Sequence, residues 1–210
     1  PVVKKENLAE FCDIFCEEGV FSVDESRQYL KKAREMGFKL KIHADEIVSL
    51  GGSELAGELK ATSADHLLHA SDAGIKAMAE NGVVSTLLPT TAFCLREPFA
   101  RAREMIDAGC AVALATDFNP GSGFTFSVPL MLSLAVIYMH MTAEEAITAL
   151  TLNGAAAVGR ADRIGSIEVG KQADLTILQY PSYKFLPYHT GVNIVEKVIK
   201  KGELVHTASV

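Results

Sequence analysis

Residues 111–115, AVALA, form an unbroken apolar run between Gly109-Cys110 and Thr116-Asp117. The run is too short for a buried helix, and its lack of alternation means that both faces are covered. That is the pattern of a strand inside a parallel sheet. Val83–Leu88, ended by Pro89, is a second such strand, and Phe38–His43 alternates weakly after Gly37 and reads as a third. SADHLLHA at 63–70 supplies a shorter one, with Asp65 and His66 near its start or peak. Helical patterns lie between these segments, so the chain is built of βαβ units and its sheet is parallel.

The intervening helices carry their own start and stop signals. Ser22 or Asp24 caps a helix running to Met36-Gly37, with Tyr29, Leu30, Ala33 and Met36 at helical spacing. Ser53 caps a helix after Gly51-Gly52, and Ser71 or Asp72 caps another that closes at Asn81-Gly82. Further helices are expected from Pro98 to Ala108 and over 127–140, and Thr142 to Glu145 is a capping box for a third. A small-residue helix follows Asn153 and stops near Gly159. Residues 7–16 fit either a short helix or a helix turning into a strand, with Phe11, Ile14 and Phe15 as buried candidates. From Gly165 the texture changes. A short strand between two glycines, an apolar strand over 173–178, an alternating strand over 194–200 and Leu204-Val205 read as antiparallel β material.

Composition narrows the function classes. With 49% hydrophobic and 22% charged residues, the 210-residue chain can bury a full core. A net charge of −6 provides no basic footprint for nucleic acid. No apolar run approaches the roughly 18–20 residues a bilayer span needs, and Pro1 to Glu10 is mixed and charged, unlike a secretory leader. Cys12, Cys16, Cys94 and Cys110 form no CxxC pair and read as buried reduced thiols, so a cytoplasmic protein is expected.

Polar residues gather where the strands end: His43, Asp45 and Glu46, then Asp65 and His66, then Asp117. The turn-forming loop Asn119-Pro120-Gly121-Ser122-Gly123 follows at the same edge. In a parallel α/β barrel this edge is where reactive side chains collect. A neutral imidazole suits a divalent metal, and a carboxylate three residues further on can move protons for an activated water. His43 and Asp117 are therefore candidate ligands, Glu46 a candidate general base, and His66 a candidate electrophile or proton donor. Each has a plainer reading too: a strand-end histidine is commonly a hydrogen-bonded structural residue, and an aspartate after a strand commonly caps the next helix. His69 and His140 read as structural, and His189 and His206 as loop residues. Two ligands are fewer than a catalytic zinc ordinarily has. The residues alone leave a metal hydrolase and a structural reading both open.

The strings KIHADE, GGSELA, SADHLLHAS, LLPTTAF, ALATDFNPGS, TLNGAAAVG and IGSIEVGKQADL, taken together, resemble the amidohydrolase superfamily. IGSIEVGKQADL marks only the superfamily. KIHADE, SADHL and TDFNPGS resemble more narrowly its members that open the imidazolone ring in histidine degradation. The resemblance implies a (β/α)8 barrel with a β-sandwich formed by both chain ends. It implies hydrolysis of 4-imidazolone-5-propanoate to N-formimino-L-glutamate, with zinc or iron held by His43. Asp117 would be a ligand or acid–base partner, Glu46 would touch the ring and assist proton transfer, and His66 would orient or polarise water and carbonyl. Asn119, Gly121 and Ser122 would contact the substrate. A related deaminase of the cytosine deaminase type is the alternative enzyme, since it shares a similar His-X-X-Glu.

The departures are also informative. The resembled family needs a His-X-His pair on its first strand, together with an arginine, tyrosines and a histidine for propanoate and ring, and this sequence has no His-X-His. GSGFTF at 121–126 replaces a more polar loop of the GSSPTES kind. The expectation is therefore the C-terminal part of a barrel over 1–160 and a segment of the sandwich over 161–210. Such a half would associate with a second copy or with the absent N-terminal half, and alone would be an inactive folding or assembly unit.

Overall fold

A computed structural model describes residues 2–208; the outer ends of the two expected spans, Pro1, Ser209 and Val210, lie outside them. The chain forms two compact units. The first runs to Leu87 and takes in Pro98–Ala113; the second comprises Leu88–Glu97 and the chain from Leu114 onward.

In the first unit a short helix α1 (Val2–Lys5) precedes two minimal strands, β1 (Phe11–Cys12) and β2 (Phe15–Cys16). Both pair in parallel with β3 (Lys39–Ala44), so the ambiguous stretch at 7–16 is β structure and Cys12 and Cys16 share no helix. The order continues through β4 (Ser63–His66) and β5 (Val84–Leu87) to β6 (Val112–Leu114). The parallel sheet read from the apolar runs is present. Helices α2 (Val23–Glu35), α3 (Gly52–Glu58) and α4 (Asp72–Asn81) connect the strands. Ser22 and Glu25 form a reciprocal capping box at the start of α2, and Gly37 leaves it at φ +82. Leu30, Ile42, Leu55, Leu67, Met78 and Met105 are fully buried here. Each such side chain contributes about 1.5–3 kcal/mol of transfer free energy.

Three local readings are corrected in this unit. Ser53 does not cap α3: Gly51 is the N-cap, and the first amides of the helix turn to the Asp45 carboxylate. A buried anion offers those N–H groups a stronger acceptor than a neighbouring hydroxyl. The strand at 63–70 ends at His66, because His66 and Leu67 adopt φ +77 and +62 and turn the chain away. The helix expected from Pro98 is confined to α6 (Ala102–Asp107).

In the second unit Pro89 both ends the preceding strand and opens α5 (Pro89–Leu95) from its first turn. α7 (Val128–Tyr138) follows, then α8 (Ala143–Thr148) with the expected Thr142–Glu145 capping box. α8 runs on through a π-turn (Ala149–Asn153) into α9 (Gly154–Ala157). Thr148 and Thr151 each donate their hydroxyl to a carbonyl one turn back, at 2.9 and 2.7 Å, along this stretch. Residues 166–169 form no strand. β7 (Leu175–Leu178), a short α10 (Phe185–Tyr188), β8 (Val195–Lys200) and β9 (Glu203–Thr207) complete the chain, and the strands form an antiparallel sheet in that order. His206 therefore lies in a strand, not a loop. No helix among the described residues is long and apolar enough to cross a membrane.

Candidate active site

The register of the parallel sheet decides which polar residues meet. β2, β3 and β4 place Phe15 beside His43, His43 beside Asp65, and Ala44 beside His66. The His43 and His66 rings lie 5.3 Å apart. His43 Nδ1 is 2.9 Å from Asp13 Oδ2, a contact that orients the imidazole. His66 is almost fully buried, and its Nδ1 lies 3.4 Å from Glu46 Oε1. Asp65 Oδ1 accepts from Ser63 Oγ at 2.9 Å, and its Oδ2 lies 3.4 Å from Lys41 Nζ. Donor atoms of Asp13, His43 and Asp65 all lie within 4.8 Å of one another. One imidazole nitrogen and two carboxylates match what zinc or iron accepts, so the residues present fit a metal of that kind.

The backbone is bent where this chemistry sits. Asp45, His66 and Asp117 have φ of +50, +77 and +50 at or just past the ends of β3, β4 and β6. Left-handed non-glycine residues cost about 1–3 kcal/mol each and cluster at functional sites.

The second unit carries the other group of expected residues on one loop. Asp117 Oδ2 accepts from Thr91 Oγ1 at 2.7 Å, and Thr90 Oγ1 donates to Thr116 O at 2.6 Å. Asn119 organises the turn: its Oδ1 accepts from the amides of Gly121 and Ser122, both at 2.8 Å, and its Nδ2 donates to Asp117 O and Ser122 Oγ. Phe118, Phe124 and Phe126 are exposed beside it, with the Phe118 ring 4.9 Å from Phe124 and 5.8 Å from Phe126.

The expected residues thus fall into two local groups: His43, Glu46 and His66 together in the first unit, and Asp117, Asn119, Gly121 and Ser122 together in the second. Sequence reasoning assigned no role to Asp13, Lys41 or Glu17, and only a position to Asp45 and Asp65. Asp13 had one signal, a lone acid inside the apolar string FCDIFC. Read as strand, that string would have put it at the sheet edge.

Residues 16–205 match the model of the amidohydrolase family, and the chain belongs to that family. Imidazolonepropionase of Clostridium tetani is 73% identical over 209 residues, covering all of this chain and 50% of that protein. The imidazolonepropionase of Parabacteroides distasonis is 66% identical over 97% of this chain and 49% of its own length. The chain spans about half the length of the curated relatives it matches. Among solved structures, a zinc-bound adenosine deaminase from Xanthomonas campestris superimposes with a TM-score of 0.75 at 24% identity, over 88% of this chain and 49% of its own. A Xaa-Pro dipeptidase gives 0.76 at 21% identity, over 96% and 55%. These likenesses establish the amidohydrolase α/β fold.

Proposed function

We propose that the chain is part of an imidazolonepropionase, a cyclic amidohydrolase that converts 4-imidazolone-5-propanoate to N-formimino-L-glutamate. The observation that carries this reading is that KIHADE and SADHLLHA bring His43, Glu46 and His66 side by side, in a chain 73% identical to such an enzyme. Residues 1–160 are read as a share of a (β/α)8 barrel, and 161–210 as one side of a β-sandwich. The four free cysteines suit a reducing, cytoplasmic setting.

In the reaction, water adds to the ring carbonyl, the amide C–N bond breaks, and the departing nitrogen takes a proton. The Glu46 carboxylate takes the proton from water and returns it to that nitrogen. The His66 imidazole donates to the carbonyl oxygen as negative charge develops there. His43 would hold a zinc or iron ion, with Asp13 and Asp65 beside it and Asp117 as a further ligand or acid–base partner. The ion, when bound, supplies Lewis acidity to water and carbonyl. Asn119, Gly121 and Ser122 form the loop that contacts the substrate.

Because the relatives are about twice as long, turnover is expected to need a partner that supplies the remaining half, or association with a second copy. The test is turnover with zinc or iron, by the chain alone and with the remaining half of a relative supplied as a separate polypeptide. Ring opening only on complementation supports the reading; ammonia release from a nucleobase would favour a deaminase instead. Silence in both settings, with no metal bound, would leave the family assignment alone and favour an inactive assembly unit.

A further inference from the structure

Two buried carboxylates hold the segment that carries Glu46, and neither belongs to the reacting group. Glu17, 1% exposed at the end of β2, accepts from the amides of Glu46 and Ile47 on Oε2, both at 2.9 Å, and from Val48 on Oε1 at 3.3 Å. Its Oε1 also accepts from the Glu18 amide at 2.9 Å. Asp45, fully buried, accepts on Oδ1 from the amides of Leu50, Gly51 and Gly52, each at 3.0 Å. Its Oδ2 takes the Ser53 amide at 2.9 Å and the Ser53 hydroxyl at 2.5 Å. Among the described residues neither carboxylate forms an ion pair; amides and the Ser53 hydroxyl are their partners. Their charge is met by amide dipoles, an arrangement that fixes the chain supplying those amides.

The geometry points to Glu17, seconded by Asp45, as a positioning residue for Glu46: it clamps the backbone of 46–48 so that the Glu46 carboxylate lies against His66. This rests on the reading of Glu46 as the proton carrier, and it deepens that reading. Glu17 directly follows β2, which pairs with β3, so the clamp ties the reacting carboxylate to the sheet and not merely to its own loop. Replacing the carboxylate by an amide turns donors toward donors, because a glutamine offers a single acceptor oxygen to all these N–H groups.

The test begins on the chain itself, labelled with 15N in its histidine rings. Glu17→Gln is expected to move the His66 ring signals in the direction that Glu46→Gln moves them, while His140 and His206 stay in place. His66 signals unchanged from wild type overturn the proposal, whereas a shift of every histidine marks general unfolding. Should Glu17→Gln not fold, Glu17→Asp keeps the charge, draws the acceptor back by one methylene, and is read by the same signals. In the complemented turnover assay, Glu17→Gln should lower kcat at least about tenfold with KM within about twofold. Equal kcat with displaced His66 signals also overturns the proposal. Absence of wild-type turnover counts against the hydrolase reading, and the ring signals still decide whether Glu17 positions Glu46.

Discussion

Glu46 Oε1 lies 3.4 Å from His66 Nδ1 although the whole of α3 separates the two residues in the chain. The parallel register, which sets Ala44 beside His66, brings them together. A carboxylate beside a nearly buried imidazole forms an acid–base pair whose members can exchange roles as a proton moves.

Glu46→Gln keeps the shape and removes the proton carrier of the proposed reaction. In the complemented assay kcat should fall by about 10²–10⁴-fold with little change in KM. Equal activity in the variant would remove Glu46 from the chemistry.

His43 is the nitrogen donor of the candidate metal group, and Asp13 orients its ring. The wild-type chain should retain zinc or iron after dialysis, and His43→Ala should not. Asp13→Asn should weaken binding at least about 10-fold, because Asp13 belongs to the candidate metal group and also orients the His43 ring. Elemental analysis and competition with a chelator read both. Undiminished metal in His43→Ala would place the ion elsewhere.

Asp174 in the second unit is held by the Lys200 ammonium first and then by the Lys201 amide, which lower its pKa from 3.8 to about 2. A carboxyl with a depressed folded-state pKa stabilises the fold above its unfolded value, and loses that contribution as pH falls through the folded one. Asp174→Asn should therefore lower the melting temperature at neutral pH, and the gap from wild type should close as pH drops from about 4 to about 2. Melting curves across that window decide it, and a gap independent of pH would exclude the linkage.

Gly57 of α3 faces α4 so closely that an added Cβ would meet the Ala77 Cβ at 2.7 Å and its carbonyl at 2.8 Å. Overpacking costs about 1–3 kcal/mol, against about 1 kcal/mol gained from alanine's helix propensity. Gly57→Ala should thus destabilise by up to about 2 kcal/mol, lowering Tm by several degrees. An unchanged or raised Tm would show that the two helices can separate at little cost.

Cys94 is exposed and Cys12 half-buried, whereas Cys16 and Cys110 are buried, and burial pushes both of their thiols up. Because the thiolate reacts, iodoacetamide should modify Cys94 first and spare Cys16 and Cys110 until the chain unfolds. Peptide mass spectrometry reads the order. Early alkylation of Cys16 would mean that β2 opens readily.

The sheet, its parallel sense and most helix limits were legible because their causes are local. An apolar run without alternation must be covered twice, and Ser22–Glu25 and Thr142–Glu145 carry their capping partners within one turn. The misread boundaries have distant causes. Ser53 lost its capping role to Asp45, and the strand at 63–70 stopped at His66 because the backbone turns there. FCDIFC was too short for periodicity to speak, and only pairing with β3 made it strand.

The amino-acid sequence by itself determined the βαβ order, the gathering of His43, Glu46 and His66 at strand ends, and the Asn119–Gly123 turn. It did so because strand period, helix caps and turn residues act over a few positions. Tertiary structure alone decided that Asp13 faces His43, that Lys41 faces Asp65, and that Glu17 holds the backbone of Glu46. Those contacts depend on inter-strand register, and register follows from the packing of the whole sheet against its helices, which no short stretch of residues encodes.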